Sequence, residues 1–158
     1  MSHETSGEVQ KLVIKRVFRA PVDKVYQAWT DPDKMIRWFA SNERWRTPAV
    51  EVGSAPGGKY NLTMRHSDGD SFQSVGHIVE IIENERISFT WTMPDAGLSF
   101  GESLVTVDLR AVPEGTELTL THDRLISADL RKDTSEGWAG CLTMLEGYLV
   151  NGVELSPP

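Results

Sequence analysis

The stretch from Val13 to Phe39, VIKRVFRAPVDKVYQAWTDPDKMIRWF, packs a strand and two helix starts into one short span. Val22, Val25, Tyr26 and Trp29 recur at i, i+3, i+4 and i+7, one apolar stripe on a 3.6-residue period. Pro21 fits the first helical position, where a missing N–H costs nothing. Asp31 and Pro32 repeat the signal, the carboxylate able to cap and the proline to open a second helix. An amphipathic pair this early in the chain needs a broad apolar surface to lie against. The remaining sequence has to supply it.

It does so mainly with strands. Tyr60, Leu62 and Met64 alternate with polar neighbours, the pattern of a strand with one buried face. Asp68-Gly69 signals a hairpin into Phe72 to Ile82, and Asn84-Glu85 separates that run from Ile87, Phe89, Trp91 and Met93. A loop is expected around Pro94 to Gly97, then a strand from Ser103 to Arg110. Pro113-Glu114-Gly115 turns the chain into Thr116 to His122, where Leu118 and Leu120 alternate with polar residues. Short connections imply antiparallel neighbours, because parallel ones need long crossovers.

The last element reads as a helix. Asp133 with Glu136 fits a capping box, and Trp138, Leu142, Leu145 and Leu149 form its stripe, widened by Cys141 and Tyr148. Gly140 and Gly147 fall on the opposite side, each costing about 1 kcal/mol relative to alanine. A softened helix, close approach by a partner subunit and tolerated drift are the open readings. The economical packing is α+β, a curved antiparallel sheet gripping the C-terminal helix.

A chain of 158 residues is most simply one domain. Residues 1–8 are expected to be a disordered tail, 9–152 the domain and 153–158 a frayed C-terminus. The net charge of −7 argues against nucleic acid, whose phosphates select Lys and Arg clusters. No apolar run is long enough for a membrane span, and the polar start lacks a signal core. One cysteine, Cys141, cannot form an internal disulfide and suits a reducing compartment. A cytoplasmic protein, monomeric or weakly homodimeric, is expected.

The chain resembles the activator of heat-shock protein 90 ATPase homologue family, in the SRPBCC (START-like, helix-grip) superfamily. The marks are the stretch from Ala20 to Pro32, the Trp38-Phe39 pair, Pro56-Gly57-Gly58, Gly76 with Glu80-Ile81, and Arg86 before Ile87. Val105-Thr106-Val107, Gly115-Thr116 ahead of Leu118 to His122, and Gly137-Trp138 complete them. They run in the expected order over about residues 9 to 150. The resemblance implies a helix-grip fold, with about six to seven strands wrapped around a long C-terminal helix and two short helices after the first strand. It also implies a cavity between sheet and helix for apolar or aromatic small molecules. Chaperone binding is a second implied role, although the additional N-terminal domain of the name-giving activators has no room here.

Strand parity nominates the cavity wall. Tyr60, Leu62, Met64 and His66 share one face, as do Phe89, Trp91 and Met93, and Leu118, Leu120 and His122. These are expected to look toward Trp138, Leu142 and Leu145. Such residues also fill ordinary cores. His66 and His122 could each orient a ligand hydroxyl or carbonyl, or bond to backbone at a strand end. The four histidines lack ligand spacing, so neither metal nor cofactor is expected. Glu80 reads as solvated or paired with an arginine such as Arg86. The expected function is non-enzymatic binding of a lipid- or polyketide-like molecule. The alternatives are a chaperone-interacting module and a cyclase- or hydrolase-like enzyme, which needs paired inward acid and base groups.

Overall fold

The computed structural model describes residues 10–94, 102–125 and 127–155. The expected tail, the greater part of the loop after Pro94 and the last three residues lie outside them. Strand β1 (Gln10–Phe18) leads into helices α1 (Val22–Thr30) and α2 (Pro32–Met35). Strands β2 (Trp45–Val52), β3 (Tyr60–His66), β4 (Ser71–Ser74), β5 (Ile78–Ile82) and β6 (Arg86–Trp91) follow. Then come β7 (Ser103–Val112), β8 (Gly115–Leu125) and α3 (Ala128–Asn151).

Five strands pair in the order β1-β8-β7-β6-β5 and three in the order β2-β3-β4. Every neighbouring pair is antiparallel. Bridges between Val75 and Thr92 and between Lys59 and His77 join the two ladders into one curved surface. The junction is Gly76, whose carbonyl accepts from Tyr60 N–H at 3.0 Å. A Cβ there would lie 1.8 Å from the Thr90 carbonyl oxygen, so only glycine lets the strands cross so closely.

Burial alternates as the sequence pattern requires. Ser103, Val105, Val107 and Leu109 of β7 are buried, as are Thr116, Leu118, Leu120 and His122 of β8. Pro48 interrupts strand β2, so periodicity alone does not reveal it. It is an edge strand with its register shifted between Arg46 and Ala49, where proline's missing N–H is tolerated.

Asp31 caps α2 as expected, its carboxylate accepting from Asp33 N–H at 2.9 Å, with Pro32 in the first turn. Pro21 stands one residue outside α1 in extended conformation, and its carbonyl accepts from Lys24 and Val25. The helix pair buries Trp29, Met35, Trp38 and Phe39 in the core. Trp38 Nε1–H donates to Ala28 C=O at 2.9 Å, and the Tyr60 hydroxyl donates to Trp29 C=O at 2.8 Å. Backbone carbonyls thus satisfy the polar atoms of Trp38 and Tyr60, whereas Trp29 Nε1 is buried without a hydrogen-bond partner.

Helix α3 begins earlier than Asp133. Ser127 is the cap, its hydroxyl accepting from Leu130 N–H at 3.0 Å, and Asp133 lies inside the helix. Trp138, Cys141, Leu142 and Leu145 form the buried stripe. Arg131 Nε donates to Lys11 C=O at 2.7 Å, and Arg16 donates to Ala139 C=O at 3.3 Å, fastening the helix over β1. Gly140 has a specific cause: a Cβ would meet the Ser41 carbonyl oxygen at 2.0 Å. The close approach comes from this chain's own loop after α2. Residues 153–155, expected to fray, are held: Leu155 N–H donates to Arg37 C=O and the Arg37 guanidinium meets Glu154, both at 2.8 Å. Among the described residues, no helix is long and apolar enough to cross a membrane.

Candidate ligand pocket

A semi-open pocket of about 290 Å³ lies where the concave face of β2, β3 and β4 meets the first half of α3. That is the low end of the roughly 300–1,000 Å³ range of small-molecule sites. Phe39, Trp45, Phe72, Trp91 and Trp138 give it an aromatic wall, and Met64, Met93, Leu130 and Cys141 add apolar surface. Its side-chain polar groups are few: Ser41, Thr47, Asp133 and Thr134. Thr47 is engaged with the Phe39 carbonyl, and exposed Asp133 stands at the rim. Trp91 and Trp138 rings approach to 5.3 Å between centroids, and Phe39 and Trp138 meet edge-on at 5.7 Å. Such contacts set the rings in fixed orientations.

Of the residues nominated by strand parity, Met64, Trp91 and Met93 stand on this wall, and so does Trp138 from the helix stripe. Tyr60, Leu62, Phe89, Leu118, Leu120, Leu142 and Leu145 are buried away from it, in filled core. Tyr60 and Phe89 stack there at 3.8 Å, leaving no space between them. The pocket is therefore displaced from the centre of the helix–sheet interface toward the β2-β3-β4 end. His66 faces a separate surface recess, where Nδ1 lies 3.0 Å from the Asp68 carboxylate. The two imidazoles do not converge on one ligand. Leu130 and Thr134, wall residues that were not nominated, had a signal: they keep helical spacing with Gly137, Trp138 and Cys141 once the helix is started at Ser127.

His122 is buried beneath the pocket wall in a directed chain of hydrogen bonds. Trp138 Nε1–H, a donor only, reaches its Nδ1 at 2.9 Å, so the ring proton sits on Nε2. Nε2–H then donates to Ser103 Oγ at 2.7 Å, and the Ser103 hydroxyl donates to Trp91 C=O at 2.8 Å. His122 consequently offers Ser103 a proton rather than a lone pair, the reverse of what a nucleophile needs from its base. Glu80 pairs at the surface with Arg86 at 3.1 Å, and Arg86 also meets Asp108. Burial pushes the Cys141 thiol up to about 12, so it serves as apolar wall rather than nucleophile. Among the described residues no group of His, Cys, Asp and Glu is arranged to hold a metal ion.

Burial lowers the His122 pKa from 6.5 to about 4, and Asp123 opposes the shift weakly. Between those values the unfolded chain binds a proton that the folded chain refuses. The contribution is present above about pH 6.5 and lost as pH falls toward 4, up to about 3 kcal/mol. Urea titrations at pH 7 and pH 4.5 should show this acid loss in the wild type. In His122→Gln the loss should shrink to that of the carboxylates alone; an unchanged pH slope would contradict the neutral, buried ring.

The chain matches the family model described as Activator of Hsp90 ATPase homolog 1-like protein over residues 19–150. No curated protein matches it. A crystal structure of a Chromobacterium violaceum protein superposes with a TM-score of 0.80 at 25% identity, covering 88% of this chain and 96% of that one. The solution structure of an AHSA1-like protein from Aeromonas hydrophila gives a TM-score of 0.75 at 26% identity, covering 90% of this chain and 94% of that one. A Rhizobium leguminosarum protein gives 0.76 at 27%, covering 91% and 96%. With a matched family model, a sheet curved around α3 and neighbours of the same architecture, this chain belongs to the activator of heat-shock protein 90 ATPase homologue 1-like family, within the helix-grip SRPBCC superfamily.

Proposed function

We propose that the protein binds an apolar or aromatic small molecule, lipid- or polyketide-like, in the pocket between β2-β3-β4 and α3, without reacting it. The observation that carries this reading is the pocket wall itself, built from five aromatic rings, two methionines and one leucine, with polar groups confined to a few positions. Burial of an apolar ligand there supplies free energy at roughly 25 cal/mol per Å² removed from water. Fixed rings lower the ordering cost on binding. The enzyme alternative needs an inward acid–base pair, and the direction of the His122 chain works against one. The chaperone-module alternative needs a contiguous apolar surface. Val13 and Val17 are exposed on β1 and Val79 and Ile82 on β5, opposite edges of the five-stranded ladder.

The test uses the neutral fluorophore N-phenyl-1-naphthylamine. Its emission should rise and shift to the blue on saturable binding. At one hundred times its Kd it should stabilise the fold by about 2.7 kcal/mol. Met64→Trp fills the pocket and should abolish both effects, at an overpacking cost of about 1–3 kcal/mol. If apolar probes including fatty acids, sterols and aromatic polyketides bind no tighter than about 1 mM, the pocket is not a binding site. Binding undiminished in Met64→Trp would place the site elsewhere.

A further inference from the structure

The wall of the aromatic pocket carries one charge among the described residues, the carboxylate of Asp133. We infer that the pocket selects a cation, a small alkyl- or arylammonium whose positive nitrogen sits among the rings with Asp133 at the mouth. This rests on the pocket being a binding site and names the class of molecule it takes.

The rings supply the first reason. An aromatic face carries negative charge density, and a cation within about 6 Å of a ring centre is attracted to it, most strongly to Trp. Trp45, Trp91 and Trp138 provide three of the five rings. Phe39 and Trp138 are inclined at 84°, Trp91 and Trp138 at 57°, and Trp45 and Phe72 at 52°. Phe39 and Trp91 are nearer parallel, at 28°. A flat neutral ligand stacks on one such surface at a time. A rounded ammonium group can contact several, and its alkyl shell is buried as apolar surface.

Charge supplies the second reason. Asp133 is exposed on α3, and among the described residues no ion pair engages it. Its basic neighbours Arg131 and Lys132 do not line the pocket, and Arg131 donates to Lys11 C=O. A carboxylate ligand would meet the opposite of what it needs. The described lining holds no cation, and two of its donors are committed, Trp138 Nε1–H to His122 and the Thr47 hydroxyl to Phe39 C=O. The net charge of −7 also favours the approach of cations over anions. An exposed carboxylate alone contributes little, so the rings, away from water, carry the larger share of the preference.

Calorimetric titration of the full chain with three phenols of one shape tests this. They are (4-hydroxyphenyl)trimethylammonium, the neutral 4-tert-butylphenol and the anionic 4-hydroxybenzenesulfonate. The cation should bind about tenfold tighter than its neutral isostere, and the sulfonate should bind weakest. Raising salt from about 0.05 M to 0.15 M should narrow the cation's lead. Asp133→Asn and Trp45→Leu should each reduce the ratio of cation to neutral affinity about threefold, one by removing the charge and the other a ring. Co-sedimentation with phosphatidylcholine vesicles, reversed by the free cation, would make the ammonium a lipid headgroup. Cation binding without co-sedimentation would make it a soluble amine. Equal affinity for cation and neutral isostere, while N-phenyl-1-naphthylamine still binds, overturns this inference and leaves the pocket standing. A preference unmoved by both variants places the cation outside the pocket and overturns it too, and tighter binding of the sulfonate overturns it in favour of an anion. If neither N-phenyl-1-naphthylamine nor any of the three phenols binds, the inference falls together with the pocket reading.

Discussion

Gly76→Ala is expected to destabilise the fold by at least about 3 kcal/mol, seen as a lower urea midpoint. The added methyl would fall 1.8 Å from the Thr90 carbonyl oxygen and 2.6 Å from its carbon, both backbone atoms. Thr90 has little freedom to yield. Its N–H donates to His77 C=O at 3.0 Å, and its hydroxyl accepts from His77 N–H at 2.9 Å. Relief therefore requires breaking the seam between the two ladders. Phe72 and Trp91 stand on opposite sides of that seam and both line the pocket, so ligand affinity should fall along with stability. A variant as stable as wild type would show that the two ladders need not cross here.

Leu142→Ala should cost about 2–5 kcal/mol, the range for a buried leucine whose cavity cannot collapse. Leu142 is fully buried within the stripe of α3 and lies off the pocket wall. Open space is therefore not adjacent to absorb the lost volume. Leu130, on the wall and only half-buried, should cost less when truncated. Equal losses at both positions in chemical denaturation would mean that the pocket is as tightly packed as the core.

How much of this was legible in the sequence depended on local regularity. The helix pair, the hairpin at Asp68-Gly69 and the alternation through β7 and β8 follow from periodicity and turn chemistry, which act over a few residues. Strand β2 was hidden because Pro48 demotes a run unless its edge position is already known. Starting α3 at Asp133 concealed a full turn that carries Leu130. Trp45, Thr47 and Leu130 are hidden for those two reasons, and with them the side of the pocket wall that sets its position. Strand parity correctly put Tyr60, Leu62, Phe89, Leu118 and Leu120 inside. Parity cannot say whether an inward side chain meets another or meets empty space. Gly140 reads as a weakness in a helix until the Ser41 backbone is seen against it.

The central claim, an apolar ligand site at the β2-β3-β4 end of the helix–sheet interface, can be read from the indole N–H signals of the five tryptophans. Trp45, Trp91 and Trp138 line the pocket, whereas Trp29 and Trp38 lie in the core away from it. Two-dimensional proton–nitrogen spectra during titration with N-phenyl-1-naphthylamine should show the first three signals shifting together and saturating at one affinity. The Trp29 and Trp38 signals should stay in place, and Met64→Trp should suppress the shifts of the first three. Shifts at Trp29 and Trp38 instead, or no shift at Trp45, Trp91 and Trp138 on saturable binding, would contradict a ligand in this pocket.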